Sequence, residues 1–439
     1  MVLLDFDRFQ DHQTADGPGP ASATAWPGML APVPGGQEAM LADLVIQHGA
    51  SSPRPDLCWQ YTRQTRRALR LGIIASEFPP GHGGMQEHAR GLVENLSLDH
   101  ELVVYTSQAM ATEIPGRNVT LRPVMRWHVA DDAALLQQEP VDAWITLNAG
   151  LSPYSRVLKA PLFAYVHGND FTRPWYPMPG RVMRNTGRVC GDSIVQRWRS
   201  RQIGLGLRGA RWVFANSAFS RDLCADLYGI PAANFTVVHP GMRPDFFRQT
   251  NPGPSSRLRL VTVARIDSSA RRKNIEGVLE AIALLKGEID CSYTVIGDGD
   301  DLARLICMSD RLGLTGMVRF LGSVSTERVI EEFGRSDAFI MAVKPSGVDV
   351  EGFGMVYAEA AATGLPSIAT TMGGIPEVIE DGVTGMLLRD VTAGGIAESL
   401  RTFHARRHAF DRETIRAKAQ RFGAAPCAAA MADVIDTMI

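Results

Sequence analysis

From Leu69 onward the chain repeats one local pattern: a short apolar run rich in β-forming residues, a turn, then a helical stretch. Leu69-Arg-Leu-Gly-Ile-Ile-Ala-Ser opens the series, is ended by Glu-Phe-Pro-Pro-Gly-His-Gly-Gly, and leads into an amphipathic segment from Met85 to Leu96. The runs Leu102–Tyr105, Ala143–Leu147, Leu162–Val166, Trp212–Asn216 and Thr236–His239 continue it. Strands joined through helices pair in parallel, and a parallel sheet needs helices over both of its faces. The alternation therefore predicts doubly wound α/β layers.

A chain of 439 residues exceeds one ordinary domain. Residues 1–68 stand apart, being rich in Pro, Gly, Ala and Ser, and read as an extension with one short helix around Glu38 to Gln47. Residues 69–248 make the first α/β domain. Near Arg248 to Ser256 the text turns to Gln-Thr-Asn-Pro-Gly-Pro-Ser-Ser, a linker composition. A second domain is expected over residues 249–410, with strands at Leu258–Ala264, Tyr293–Ile296, Val318–Leu321, Ala338–Ala342 and Ser367–Ala369. Helices fit between them at Asn274–Leu285, Asp301–Leu312, Thr326–Phe333 and Met355–Thr363. Residues 411–439 read as a closing helical segment that crosses back to the first domain. Two such domains in series face each other across a cleft, and ligands belong at the carboxyl ends of the strands there.

Composition narrows the partners. A formal net charge of −2 gives no general attraction to nucleic acid. No apolar run approaches the roughly 20 residues of a membrane-spanning helix, and the start lacks a basic segment followed by an apolar one. A cytoplasmic protein is the expectation. The six cysteines form no Cys-x-x-Cys pair, against a zinc site or disulfide framework. His404 and His408 share a helical spacing, but without a carboxylate motif they read as a solvated face. Trp175 and Tyr176 read equally as a Pro-rich surface loop or an acceptor platform. Residues 181–211 carry eight arginines against one acid, Asp192. A solvated helix face is the first reading, and peripheral contact with an anionic membrane or acceptor the alternative.

The chemistry concentrates in Glu351-Gly-Phe-Gly-Met-Val-Tyr-Ala-Glu359. A strand runs into a glycine-containing loop that opens a helix, so the backbone amides around Gly354, Met355 and Val356 point out of a helix N-terminus, an anion site by geometry. Gly352 permits close approach of backbone. Glu359 lies one turn beyond Met355 and suits the paired hydroxyls of a ribose. Glu351 precedes the helix, where it can take sugar hydroxyls or face developing positive charge. Arg265 ends the second domain's first strand and Lys273 begins its first helix, so both cations fall where a diphosphate needs neutralising. In the first domain His167, in Tyr-Val-His-Gly-Asn-Asp, ends a strand, and Gly83 and Gly84 follow the first strand and precede a helix. The first loop lacks Gly-x-Gly-x-x-Gly, against a nicotinamide or flavin site. No Asp-x-Asp stands in a metal-chelating context, so no metal is expected.

The Glu-x7-Glu pattern, together with Gly373-Gly-Ile-Pro-Glu377 and Asp381-Gly-Val-Thr-Gly-Met-Leu-Leu, strongly resembles the retaining GT4 glycosyltransferases over about residues 70 to 439. The resemblance implies the GT-B fold, two Rossmann-like α/β domains around a central cleft. It also implies a UDP- or GDP-linked sugar donor as substrate, a hydroxyl acceptor, retention of anomeric configuration, and no cofactor or metal. On that resemblance Glu359 is similar to the ribose-binding glutamate and Glu351 to the one contacting the donor sugar. Phe353 lies within the same donor-binding run. Arg265 and Lys273 resemble the diphosphate-binding pair, His167 the cleft histidine, Val324 the base-contacting position, and Gly83 and Gly84 the first-domain glycine loop. The sequence departs from the pattern in placing Arg265 and Lys273 eight apart, where many members have five, with Arg272 able to substitute. A sugar-nucleotide epimerase of the same fold, or a non-catalytic nucleotide-sugar-binding protein, is the alternative reading.

Overall fold

The computed structural model describes residues 67–79, 83–107, 118–172, 192–250, 253, 255–345 and 349–439. The stretch 1–66 with its expected helix lies outside these residues, as do His82, Trp175, Tyr176, Arg181, Arg184 and Arg188.

The strands form two sheets. The first contains β1 (Arg70–Ile74), β2 (Glu101–Tyr105), β3 (Val119–Arg122), β4 (Ala143–Thr146), β5 (Leu162–Val166), β6 (Trp212–Ala215) and β7 (Phe235–Val237), in the order β3-β2-β1-β4-β5-β6-β7. The second contains β8 (Leu258–Val263), β9 (Cys291–Ile296), β10 (Val318–Phe320), β11 (Ala338–Met341), β12 (Ser367–Thr370) and β13 (Gly385–Leu388), in the order β10-β9-β8-β11-β12-β13. All the strand pairings are parallel. Both sheets are thus doubly wound, and each reverses direction beside its first strand, at β1/β4 and at β8/β11. A crevice opens outside the carboxyl ends of the strands at such a switch point.

Strands β4 and β5 are buried at every residue, which is why neither carries a charged side chain. Strands β3 and β13 were not expected. Each is an edge strand with one neighbour and part of each remains accessible; Val119-Thr-Leu-Arg mixes polar with apolar residues, and Gly385-Met-Leu-Leu, though apolar, opens on glycine, a weak strand former. Among the described residues no helix is long and apolar enough to cross a membrane.

Helix α1 (Gly84–Leu96) covers the first sheet. The last helix, Ala424–Met438, packs on it, and its Cys427, Ala428, Met431 and Ile435 enter the same buried cluster as Leu71, Ile73 and Leu92. The close approach suits an alanine-rich helix: a Cβ on Gly91 of α1 would lie 2.9 Å from Ala424 Cβ. The chain therefore returns from the second sheet to the first. The crossing is tied at both strands of passage, Met242 N–H donating to the Phe422 carbonyl at 2.8 Å and Ala424 N–H to the Met242 carbonyl at 3.1 Å.

Candidate active site

Beyond β11 the chain forms a loop and enters α4 (Met355–Ala362), following α2 (Ala218–Tyr228) and α3 (Ile275–Leu284) in the chain. Gly354 holds the N-cap at φ 87°, a left-handed conformation that favours glycine, and no side chain caps the helix. The N–H groups of Met355 and Val356 meet no acceptor among the described residues. Two free amides at a helix start make an anion cradle. Phe353 does not face it: this side chain is 2% exposed and stacks on His239, ring centroids 5.1 Å apart, with Phe422 edge-on at 5.3 Å. Its place in the donor-binding run is that of a packing residue, because an aromatic ring between two domains gains most by leaving water.

Glu359 projects one turn further along α4. Its carboxylate has no hydrogen bond or ion pair among the described residues, and burial pushes its pKa up to about 7, the charge of Glu87 adding and that of Arg243 opposing. A recessed carboxylate without a protein partner suits a ligand hydroxyl. Val324, in the loop after β10, packs partly buried against the second sheet's core.

Beside the helix start lies a largely buried ionic cluster. Glu351 Oε2 pairs with Lys273 Nζ at 2.5 Å and with Arg272 Nη1 at 3.0 Å, while Arg272 Nε meets Asp349 Oδ2 at 3.0 Å. Burial by itself would raise the Glu351 pKa, but Lys273 and Arg272 overcome it and hold the carboxyl at about 2. Burial lowers the Lys273 pKa, and Glu351 opposes that shift. The expected pairing of Arg265 with Lys273 is not assembled. The Arg265 side chain is 82% exposed and its ion pair, at 3.6 Å, is with Asp267. The reason is local: residues Ser268–Lys273 wind into a 3-10 turn that ends with Arg272 and Lys273 together at Glu351, and Asn274 then caps α3 through Gly277 N–H at 3.2 Å.

The opposite wall comes from the first sheet. His167 follows β5, and its backbone is held from both sides, N–H donating to Asp170 Oδ1 at 2.9 Å and the carbonyl accepting from Asn216 Nδ2 at 2.8 Å. The ring Nε2 lies 3.1 Å from the Leu147 carbonyl. A carbonyl only accepts, so that bond assigns the proton to Nε2 and leaves Nδ1 as an acceptor. Burial lowers the His167 pKa, against the opposing pull of Asp170 and of the Leu147 carbonyl. The two walls touch. A Cβ on Gly352 would stand 2.0 Å from the His167 carbonyl oxygen, and one on Gly84 would stand 3.2 Å from Met355 Cγ. Gly83, the N-cap of α1, lies beside that contact without a side-chain cap of its own. The structure thus gathers His167, Gly84, Glu351, Gly352 and Met355 at one seam and leaves Arg265 at its solvent side.

Two residues to which no role is assigned from the sequence stitch this seam. Asn169 donates to Asp349 Oδ1 at 2.6 Å and accepts from Val350 N–H at 2.8 Å. The His-Gly-Asn-Asp run marked only its histidine; an amide two residues on, able both to donate and accept, was the available signal. Glu377 is the other, with both oxygens on backbone amides of α2.

Comparison with known proteins agrees with this geometry. The model "Glycosyltransferase Family 4" matches residues 82–246, and "Glycosyl transferases group 1" matches residues 245–421. The chain is 26% identical over 368 residues to a GDP-mannose-dependent alpha-(1-6)-phosphatidylinositol monomannoside mannosyltransferase of Mycobacterium tuberculosis, covering 75% of this chain and 88% of that protein. It is 32% identical over 253 residues to a D-inositol 3-phosphate glycosyltransferase of Streptomyces griseus, covering 51% and 52%. Among solved structures, Anabaena HepE in complex with UDP superposes with a TM-score of 0.65 at 18% identity, over 84% of this chain and 100% of that one. Sucrose-phosphate synthase of Thermosynechococcus elongatus gives a TM-score of 0.64 at 17% identity, over 84% and 98%. At such identities the structural likeness speaks for the fold, and the family models speak for descent. Two doubly wound sheets meeting at a helix start with free amides, matched by both family models in turn, make this chain a GT4-family glycosyltransferase of the hexosyltransferase kind with the GT-B fold.

Proposed function

We propose that the enzyme moves a hexose from a nucleoside-diphosphate donor to a hydroxyl acceptor, with retention of configuration and without a metal. The observation that carries this reading is the pair of free amides at Met355 and Val356 with the unpartnered Glu359 one turn away. That spacing suits a phosphate at the helix start and a ribose beside it. The GDP-mannose dependence named for the mycobacterial relative makes GDP-mannose the first donor to test, and the UDP bound to HepE makes UDP-sugars the second.

In this reading the diphosphate oxygens lie on the α4 amides, and Lys273, Arg272 and Arg265 supply positive charge as the glycosidic C–O bond breaks. Lys273 turns from Glu351 toward the phosphate, and Glu351 is released toward the sugar. The hexose gains oxocarbenium character. The acceptor oxygen attacks from the side the diphosphate leaves, and the leaving phosphate oxygen takes the acceptor's proton, so the step needs no protein base. His167 Nδ1 accepts a hydroxyl of the donor sugar and orients it.

The experiment is a thermal-shift titration with GDP, UDP and their mannose and glucose conjugates. Stabilisation by one series, lost in Glu359→Ala, is expected. A protein indifferent to all of them ends the proposal. Undiminished turnover in EDTA tests the metal-free step, and the anomeric signal of the product tests retention.

A further inference from the structure

The run Gly373-Gly-Ile-Pro-Glu377 takes no part in the chemistry above, yet it lies between the two walls of the cleft. Glu377 belongs to a short helix, α5 (Ile375–Val378), and its carboxylate reaches α2 on the first sheet. Oε2 accepts the Ala218 N–H at 2.8 Å and Oε1 the Phe219 N–H at 3.0 Å. Ser217, the N-cap, takes the Ser220 N–H at 2.9 Å. Of the first three amides of α2, two are therefore satisfied by the other domain and only one locally. A carboxylate is the suited group, since it carries two acceptors and its charge meets the positive end of the helix.

The same segment grips the donor-side loop from behind. Gly374 N–H donates to the Glu351 carbonyl at 2.9 Å, and a Cβ on Gly374 would fall 2.2 Å from the Gly352 carbonyl oxygen. That oxygen accepts in turn from Ser217 Oγ at 2.5 Å. The contacts close a ring: Glu377 to the start of α2, Ser217 to Gly352, Gly352 back through Gly374 to Glu377. Within the ring sits the backbone of Glu351 and Gly352, the latter pressed against the His167 carbonyl.

We propose that Glu377 is a positioning residue of the transfer reaction. Its carboxylate clasps the start of α2 and so seats the 351–354 loop against His167 when the two domains meet. The inference rests on the transferase reading above. Without the clasp, two amides at the α2 start lose their acceptors. The loop keeps its nucleotide-binding amides but loses its register with His167, and reacting groups displaced by about 1 Å lose on the order of a hundredfold in rate.

The test uses the full-length enzyme, GDP-mannose and UDP-glucose as donors, and the variants Glu377→Gln and Glu377→Asp. Donor cleavage and amide hydrogen exchange are both followed. In wild type, donor should increase protection of the Ala218 and Phe219 amides. In Glu377→Gln those amides should exchange faster. Turnover should fall roughly ten- to hundredfold, the worth of hydrogen bonds to a charged group, while KM for the donor changes little. Glu377→Asp, which keeps the charge, should recover part of the rate. A residue with a merely structural role would change the melting temperature without splitting turnover from KM in this way. Turnover and exchange in Glu377→Gln equal to wild type overturn the proposal. If that variant does not fold, exchange in wild type decides: Ala218 and Phe219 amides as unprotected with donor as an exposed loop overturn it equally. A wild type that binds neither donor refutes the transferase reading instead, and the clasp then stands or falls on faster exchange at Ala218 and Phe219 in the variants.

Discussion

Replacing Glu359 with glutamine should make the protein more stable and less able to hold its nucleotide. Burial, with help from Glu87 and against Arg243, moves this carboxyl from its ordinary 4.5 to about 7. Each pH unit of such displacement corresponds to about 1.4 kcal/mol, so the folded protein carries the ionised group at a cost of at most about 3.5 kcal/mol. The sign follows from proton counts. Between pH 4.5 and about 7 the unfolded chain has released a proton that the folded chain retains, so stability falls as pH rises through that window and levels off above it. Glutamine has no proton to release. The stability advantage of Glu359→Gln over wild type should therefore be least at about pH 4, grow through neutrality and reach its plateau at about pH 8. Urea unfolding of both proteins across that range measures it. An advantage that does not change with pH refutes the argument that Glu359 is held against its ionisation. The variant should also lose the nucleotide-dependent rise in melting temperature, since an amide offers one acceptor oxygen where a carboxylate offers two. Stability gained as binding is lost is the usual relation at a binding site.

Other changes test the rest of the site. Lys273→Met leaves Glu351 with Arg272 as its one remaining cation, and should cost about 1.5–3 kcal/mol in urea unfolding as well as donor cleavage; unchanged unfolding would refute the pairing. Arg265→Ala, at an 82% exposed side chain, should leave stability within about 0.5 kcal/mol while raising KM for the donor. Gly352→Ala puts a Cβ 2.0 Å from the His167 carbonyl oxygen, backbone against backbone, and should abolish turnover while circular dichroism reports an intact fold, since the walls can part without either sheet unfolding. His167→Ala should lower turnover more than it raises KM for the donor, and the reverse split would move His167 from orientation to simple binding.

What was legible in the sequence was what is local. Strands β4 and β5 declared themselves because residues buried on both faces carry no charge and are rich in β-forming side chains, whereas the edge strand β3 includes Thr120 and Arg122 and the edge strand β13 opens on a glycine, so neither stood out. The Glu351–Glu359 run could be read as an anion-binding helix start because glycine, helix and glutamate lie within three turns of one another. The basic run from Arg265 to Lys273 could be seen too, but not which cation meets Glu351; the 3-10 turn at Ser268–Lys273 and the adjacency of β8 and β11 decide that in favour of Arg272 and Lys273. Phe353 sits inside the motif and still faces the core, because His239 and Phe422 arrive from distant parts of the chain. Asn169 and Glu377 reach partners 181 and 159 residues away, and no pattern in their own neighbourhoods announces this. The sequence by itself determined the class of fold and the chemistry each segment can offer, since periodicity and helix-end amides are properties of short stretches. Only the tertiary structure decided which of those groups face one another, because that depends on strand order and on how two separately built sheets are brought into contact.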